Sequence, residues 1–432
     1  MLNRLLPPPT YPLTQLILPT PEVRALPNGA RLHLLANAAQ PVLRLQVVLR
    51  AGKCYEPRPG LAQLTARMLT EGTATRSARQ VADEVAFYGA SLDCEAGPDR
   101  ATLTLYCLAR YLPTLLPLMR EVLAAPTFPA DELRLLQTRL SQNMRVEHQK
   151  TSFRASEEFN RLLFGEDSAY GRPFDEASFN QLTVEELRAF HAAAYAPAGA
   201  EIFLSGDVAA YTDEVAAQLG AWQPVGGAAL PPALPPCADR SQAYSTGLVT
   251  VPVEGSLQAS LRVGRRWPAL TTEQTPELLL LVKVLGGYFG SRLMRNIRED
   301  KGFTYGIHAS VVAREQAAAL VIGTDVNGES AEATRVEIDR ELTRLQTEPL
   351  GDDELETIKN YTLGKLLGDS ATIFEQADRY RYVVLQDLRP DYYPQLIHQT
   401  QTATAADLQA LARTYLSPEE MLTVVAGGQS PA

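Results

Sequence analysis

Apolar and polar residues alternate from Leu43 to Arg50 and from Thr102 to Leu108, which is the two-residue period of half-buried strands. A helical period replaces it over Gly60–Leu69, Ser77–Tyr88 and Leu112–Leu123, and Gly89 is placed to stop the second of these helices. Further along, Gln258–Val263 and Ala318–Val326 read as strands, and Pro276–Leu285 and Ala331–Leu345 as helices. Strands in succession with long helices between them predict an α+β fold, each unit a mixed sheet with helices packed on one face.

The same order of elements runs through the chain twice. Leu187–Phe190, Tyr195-Ala-Pro197 and Glu201–Gly206 form a helix, a proline break and a strand ending in glycine; Leu408–Leu411, Leu416-Ser-Pro418 and Met421–Gly427 repeat it. Upstream, Phe128–Leu133 is echoed by Leu350–Leu355, each opening a long helical pattern with acidic residues in its first turn. The two pairs are offset by 222 and 221 residues, a near-constant register that points to an internal duplication. Between the copies, Gln223–Asp239 is rich in Pro, Gly and Ala and has no period. The expected organisation is one domain over 1–222, a linker over 223–239 and a second domain over 240–432. A chain of 432 residues exceeds the usual size of one core, in keeping with that division.

Composition narrows the classes of partner. The net charge of −10 and the scattered basic residues argue against a nucleic acid or an anionic membrane as partner. The four cysteines, Cys54, Cys94, Cys107 and Cys237, contain no C-x-x-C pair and are expected as reduced, mostly buried thiols. The N-terminus has Arg4 but only Leu5-Leu6 ahead of Pro7-Pro8-Pro9, which is no signal peptide, and a cytoplasmic location is expected.

The chemistry turns on Gly60-Leu-Ala62-Gln63-Leu-Thr-Ala66-Arg67-Met68 with Gly72-Thr73. This frame resembles the zinc helix of the insulinase/pitrilysin metallopeptidases, G-x-A-H-x-x-E-H-M-x-x-x-G-T. The family's two histidine ligands fall on Gln63 and Arg67, and its water-activating glutamate falls on Ala66. A neutral amide is a poor zinc ligand, a guanidinium repels the ion, and an alanine cannot act as a base. The family's third ligand, a glutamate on a later helix, falls near Gln142 or Asn143, neither of which is a carboxylate. The five histidines (His33, His148, His191, His308 and His398) include no pair at ligand spacing, and His33 is expected as a structural residue in a strand. No metal is therefore expected in this chain.

The resemblance extends over almost the whole sequence. Leu26-Pro-Asn-Gly29 is similar to the family's opening, and Phe164-Gly165 with Tyr170-Gly-Arg-Pro173 to the loop after its long helix. The second half carries Leu285-Gly-Gly-Tyr-Phe-Gly-Ser291 followed by Ile297–Gly306, which places the family's R-x-x-x-G-x-x-Y arginine and tyrosine on Arg298 and Tyr305. In the family this pair contacts substrate near the scissile carbonyl, a role suited to a guanidinium and a phenol. Without the motif, Arg298 would read as a surface cation in the series Arg292, Arg295, Arg298, and Tyr305 as a half-buried strand aromatic. Gly286, Gly287 and Gly290 lack the spacing of a phosphate loop and read as a closely packed turn.

In several bacterial members of the family, one subunit carries the zinc helix and its partner carries the Arg/Tyr pair. The resemblance thus implies a subunit inactive alone, joined to a zinc-bearing paralogue and supplying Arg298 and Tyr305 for hydrolysis of a peptide or unfolded polypeptide, with zinc in the partner. The alternative is an inactive scaffold or peptide-binding protein of the same fold. An independent hydrolase has no support from a G-x-S-x-G or a Cys/His pattern.

Overall fold

A computed structural model describes residues 19–223, 244–269 and 273–428. Apart from Gln223, the expected linker lies outside the described residues. The first half runs β1 (Glu22–Ala25), β2 (Arg31–Ala36), β3 (Val42–Leu49), α1 (Leu61–Met68), α2 (Ala78–Phe87), β4 (Ser91–Ala96), β5 (Ala101–Leu108), α3 (Leu112–Ala124), α4 (Ala130–Glu147), α5 (Thr151–Phe164), α6 (Glu176–Asn180), α7 (Val184–Ala194), β6 (Glu201–Gly206) and α8 (Thr212–Gly220). Its strands form one mixed sheet in the order β1-β2-β6-β3-β5-β4, in which β2 and β6 are parallel and the other pairs antiparallel.

The second half runs β7 (Gly247–Val251), β8 (Gln258–Trp267), α9 (Thr275–Gly286), a π-helical segment (Met294–Asp300), β9 (Thr304–Ala313), β10 (Ala318–Asn327), α10 (Ala331–Thr347), α11 (Asp352–Gly368), α12 (Ile373–Leu385), α13 (Tyr392–Thr402), α14 (Ala405–Tyr415) and β11 (Leu422–Gly427). Its sheet, β7-β11-β8-β10-β9, repeats the first without the outermost strand. The duplication is thus visible element by element. The same N-cap recurs as well: Thr183 with Glu186 opens α7, and Thr404 with Asp407 opens α14, each a reciprocal capping box.

Helices from each half pack on one face of that half's sheet, as the alternation predicts. The opposite face of each sheet is covered by a helix from the other half. Helix α5 crosses to lie on β8 and β11. Its Ala155, Phe159 and Leu163 bury against a face to which Ala319, Leu422, Val424 and Ala426 contribute. The Oγ1 of Thr151 and Oγ of Ser260, 2.8 Å apart, and the Nε of Arg262, donating to Ser156 Oγ at 3.0 Å, fix its register. Helix α12 crosses in return to β2 and β6. Arg44 grips it with two hydrogen bonds to the Asp378 carboxylate, at 2.9 and 3.0 Å, and a third to the Phe374 carbonyl at 2.9 Å. His33, a structural strand residue as expected, is fully buried: it stacks on Phe203, and its ring nitrogens lie 2.8 Å from Glu201 and from the Tyr380 hydroxyl of α12.

One expectation is overturned. Cys94 and Cys107 are free and buried, and burial pushes each thiol up to about 12, but Cys54 is disulfide-bonded. Spacing alone does not disclose such a bond, because pairing depends on which loops the fold brings together. Among the described residues, no helix is long and apolar enough to cross a membrane.

His191 on α7 provides a test of the first core. It is buried between Phe128 and Tyr195, and its Nε2 lies 2.9 Å from the Leu123 carbonyl; a carbonyl only accepts, so Nε2 carries the proton. Burial drives its pKa down to about 4. As pH falls from 6.5 the unfolded chain takes up a proton that the folded chain refuses, so stability drops between about pH 6.5 and pH 4 and levels off below. The contribution is on the order of 3 kcal/mol. Urea denaturation of His191→Gln is expected to show lower stability at pH 7 and a flatter slope over that window; an unchanged slope would remove His191 as its source.

Candidate active site

Helix α1 enters from Gly60 at φ +90°, a left-handed conformation, and a Cβ there would lie 2.4 Å from the Phe179 ring. The helix is capped from outside its own sequence: the half-buried Glu56 accepts a hydrogen bond from the Ala62 N–H at 2.9 Å, and partial burial holds its carboxyl above the usual range. Leu61, Ala62, Leu64 and Met68 face the core. Ala66 is fully buried as well, so the position of the expected catalytic base is filled by a methyl group in apolar packing. Gln63 is half-buried and lines a cavity of about 440 Å³ with Glu56, Glu157, Arg172 and Arg314. The exposed Arg67 points its guanidinium toward Glu95 on the outer strand β4, at 3.9 Å.

Both candidates for the third position of the metal frame lie on α4. Gln142 lines a groove on the α6 side with Ser141, Arg145 and Glu176. Asn143 lies one helical turn beyond Arg139, and Arg139 and Glu132, a heptad apart on one stripe, both act electrostatically on Glu71 just after α1. Among the described residues, no group of three His, Cys, Asp or Glu side chains could hold a metal ion. Gln63, Ala66, Arg67 and Asn143 offer no imidazole and no carboxylate, so the donor set does not fit zinc.

Arg298 sits in the π-helical segment Met294–Asp300, whose Ile297 is anchored in the second core. π-Helical turns recur at functional sites because they re-aim side chains that a regular helix would space evenly. The guanidinium of Arg298 lies over the Phe289 ring, 4.5 Å from its centroid, and its Nε donates to the Tyr305 carbonyl at 3.1 Å. Gly302, at φ +65°, allows the turn between them. Arg298 is thus half-buried and held in place, unlike a freely solvated surface cation. Tyr305 is fully exposed on β9, the outer strand of its sheet, and its hydroxyl has no partner among the described residues. The structure joins Arg298 to the Tyr305 backbone. No hydrogen bond, ion pair or ring contact joins either of them to Gln63, Ala66 or Arg67 among the described residues. The glycines pack as expected: a Cβ on Gly286 would lie 2.6 Å from the Ala309 nitrogen.

A set of residues that sequence reasoning missed connects the two halves beside the Gln63 cavity. The β4–β5 turn of the first half and the β9–β10 turn of the second meet there. Asp99 accepts from the Tyr170 hydroxyl and from the Glu315 N–H, the latter at 3.1 Å, and Arg100 pairs with Glu315. Arg314 lies over the Tyr170 ring, 4.8 Å from its centroid. Burial, reinforced by Asp99, pushes the Tyr170 phenol well up, so it remains a donor. The only signal in the sequence was the Tyr170–Pro173 loop; its partners are distant in the chain.

Comparison with known proteins agrees with this arrangement. Residues 32–161 match the family model described as Insulinase (Peptidase family M16), and residues 181–362 match that of the Peptidase M16 inactive domain. The chain is 22% identical over 347 residues to the Bacillus subtilis protein named uncharacterized zinc protease YmxG, covering 79% of this chain and 82% of that one. A Pseudomonas fluorescens crystal structure described as a peptidase M16 inactive domain superposes with a TM-score of 0.86 at 25% identity, over 95% of this chain and 98% of that one. A protease from Helicobacter pylori, 17% identical, superposes with a TM-score of 0.85 over 95% and 100% of the two chains. With the duplicated fold and the two family matches, the chain belongs to the M16, or insulinase, peptidase family.

Proposed function

We propose that this chain is a non-catalytic subunit of an M16 peptidase and supplies Arg298 and Tyr305 to the active site of a zinc-bearing paralogue. One observation carries this reading: the zinc-helix positions offer no ligand, while Arg298 is oriented by Phe289 and the exposed Tyr305 hydroxyl has no partner among the described residues. An exposed tyrosine on an outer strand is well placed to meet a second chain. A peptide substrate lying extended would add to a sheet edge of the zinc-bearing partner. There Arg298 would bind the carbonyl and stabilise charge developing on its oxygen, and the Tyr305 phenol would donate one further hydrogen bond.

Mixing experiments test the reading. The chain alone is expected to contain no zinc and cleave no peptide, and cleavage is expected once it is mixed with a zinc-bearing paralogue from the same organism. In the mixed enzyme, Arg298→Ala is expected to lower kcat by roughly a hundredfold or more, the scale of losing one oxyanion donor. Tyr305→Phe is expected to lower it about tenfold, the scale of one hydrogen bond. Full activity in both variants would leave a scaffold role in place of this one.

The retained frame generates a separate expectation. The combined variant Gln63→His, Ala66→Glu, Arg67→His, Asn143→Glu is expected to take up one zinc per chain by elemental analysis, whereas Gln63→His alone takes up none. Failure of the combined variant to bind zinc, with the fold intact by circular dichroism, would show that α1 and α4 have moved out of ligand geometry.

A further inference from the structure

The duplication gives the zinc helix a counterpart in the second half. Lys283 stands as far beyond Ala259 as Arg67 does beyond Leu43, and those two strand residues make equivalent pairs, with Gly427 and Gly206. Leu279 then corresponds to Gln63. Lys365 stands as far along α11 as Asn143 does along α4. The counterpart of the vacated metal frame is therefore Leu279, Lys283 and Lys365.

These residues line a cavity of about 640 Å³ bounded by α9, α11, α12, α13 and β9. Its walls are largely apolar, with Leu279, Leu280, Leu363, Leu366 and Leu396 among them. The carboxylates in its lining are already engaged. Asp369 pairs with Lys365 at 3.1 Å and with Arg379 at 3.6 Å. Glu375 caps α12 through the Thr372 N–H at 2.8 Å, and Asp378 is held by Arg44. Lys283 is the exception: half-buried, its ammonium has no hydrogen bond or ion pair among the described residues. Burial, with Lys365 adding to it, brings its ammonium down to about 8, as expected for a cation short of a counter-charge.

We propose that this cavity binds an apolar molecule carrying a single carboxylate, the carboxylate pairing with Lys283 and the apolar body filling the leucine-lined space. An unpaired ammonium at the wall of an apolar cavity is satisfied by one anionic group, and the surrounding leucines reward a ligand whose remainder is apolar. Two sources share this chemistry, a free acyl carboxylate and the C-terminal carboxylate of an apolar peptide. The inference does not depend on Arg298 or Tyr305.

Isothermal titration of the full chain with decanoate, decanol, acetyl-Leu-Leu-Tyr free acid and its C-terminal amide tests it. Saturable one-to-one binding is expected for decanoate, the free-acid peptide or both, at least tenfold tighter than for the matching alcohol or amide; which acid binds identifies the source. Lys283→Met is expected to abolish that preference for the acid, and Leu279→Trp to remove binding by filling the cavity. Absence of saturable binding by either acid, or equal binding of acid and neutral ligands to the native chain, would overturn the proposal, and both readings hold even if a variant fails to fold.

Discussion

Each sheet of this protein has two faces to cover, one of them apolar and the other mixing apolar with polar and charged residues, and receives helices from its own half on only one. The exchange of α5 and α12 resolves this: the helix that covers the second face of one sheet is encoded in the other half of the chain. Burying a side chain such as Phe159 or Leu163 contributes about 1.5–3 kcal/mol, so a helix presenting several of them is strongly retained. The exchange also fixes how the halves sit. The Arg44–Asp378 pair and the His33–Tyr380 contact hold one crossing, and the Thr151–Ser260 and Arg262–Ser156 contacts hold the other. Once both crossings are in place, the β4–β5 and β9–β10 turns meet and the Asp99, Tyr170 and Arg314 cluster can form beside Gln63.

The persistence of α1 follows from the same packing. Its apolar stripe is part of the first core, and Gly60 and Glu56 shape its entry. The positions that would carry metal chemistry lie at its edge, where Gln63 meets a cavity and Arg67 meets solvent. The fold depends on the stripe, and metal chemistry would depend on the edge. The helix therefore remains a helix whether or not zinc is held, and the same separation holds in the second half, where the equivalent edge bears Leu279 and Lys283.

Much of this was legible in the residues because it depends on local periodicity. The alternation over Leu43–Arg50 and the register of the two halves are properties of nearby residues, and the structure reproduces them. The motif positions were legible too, but only as an alignment. What lay beyond reach were contacts made by residues far apart in sequence. The α5 and α12 exchange, the Tyr170–Asp99 bond and the disulfide at Cys54 depend on tertiary placement. The π-helical turn at Arg298 was hidden for a different reason, since the evenly spaced Arg292, Arg295 and Arg298 imitate an ordinary surface helix.

Arg67 makes the loss of metal chemistry difficult to reverse. A histidine regained at position 63 would face a fixed positive charge and no second imidazole, so it would gain nothing in zinc affinity. Replacing Arg67 alone would remove the charge and still leave fewer than two ligands. Each step toward the ancestral frame is without benefit until the others are in place. Building a zinc site on α1 therefore requires several substitutions at once.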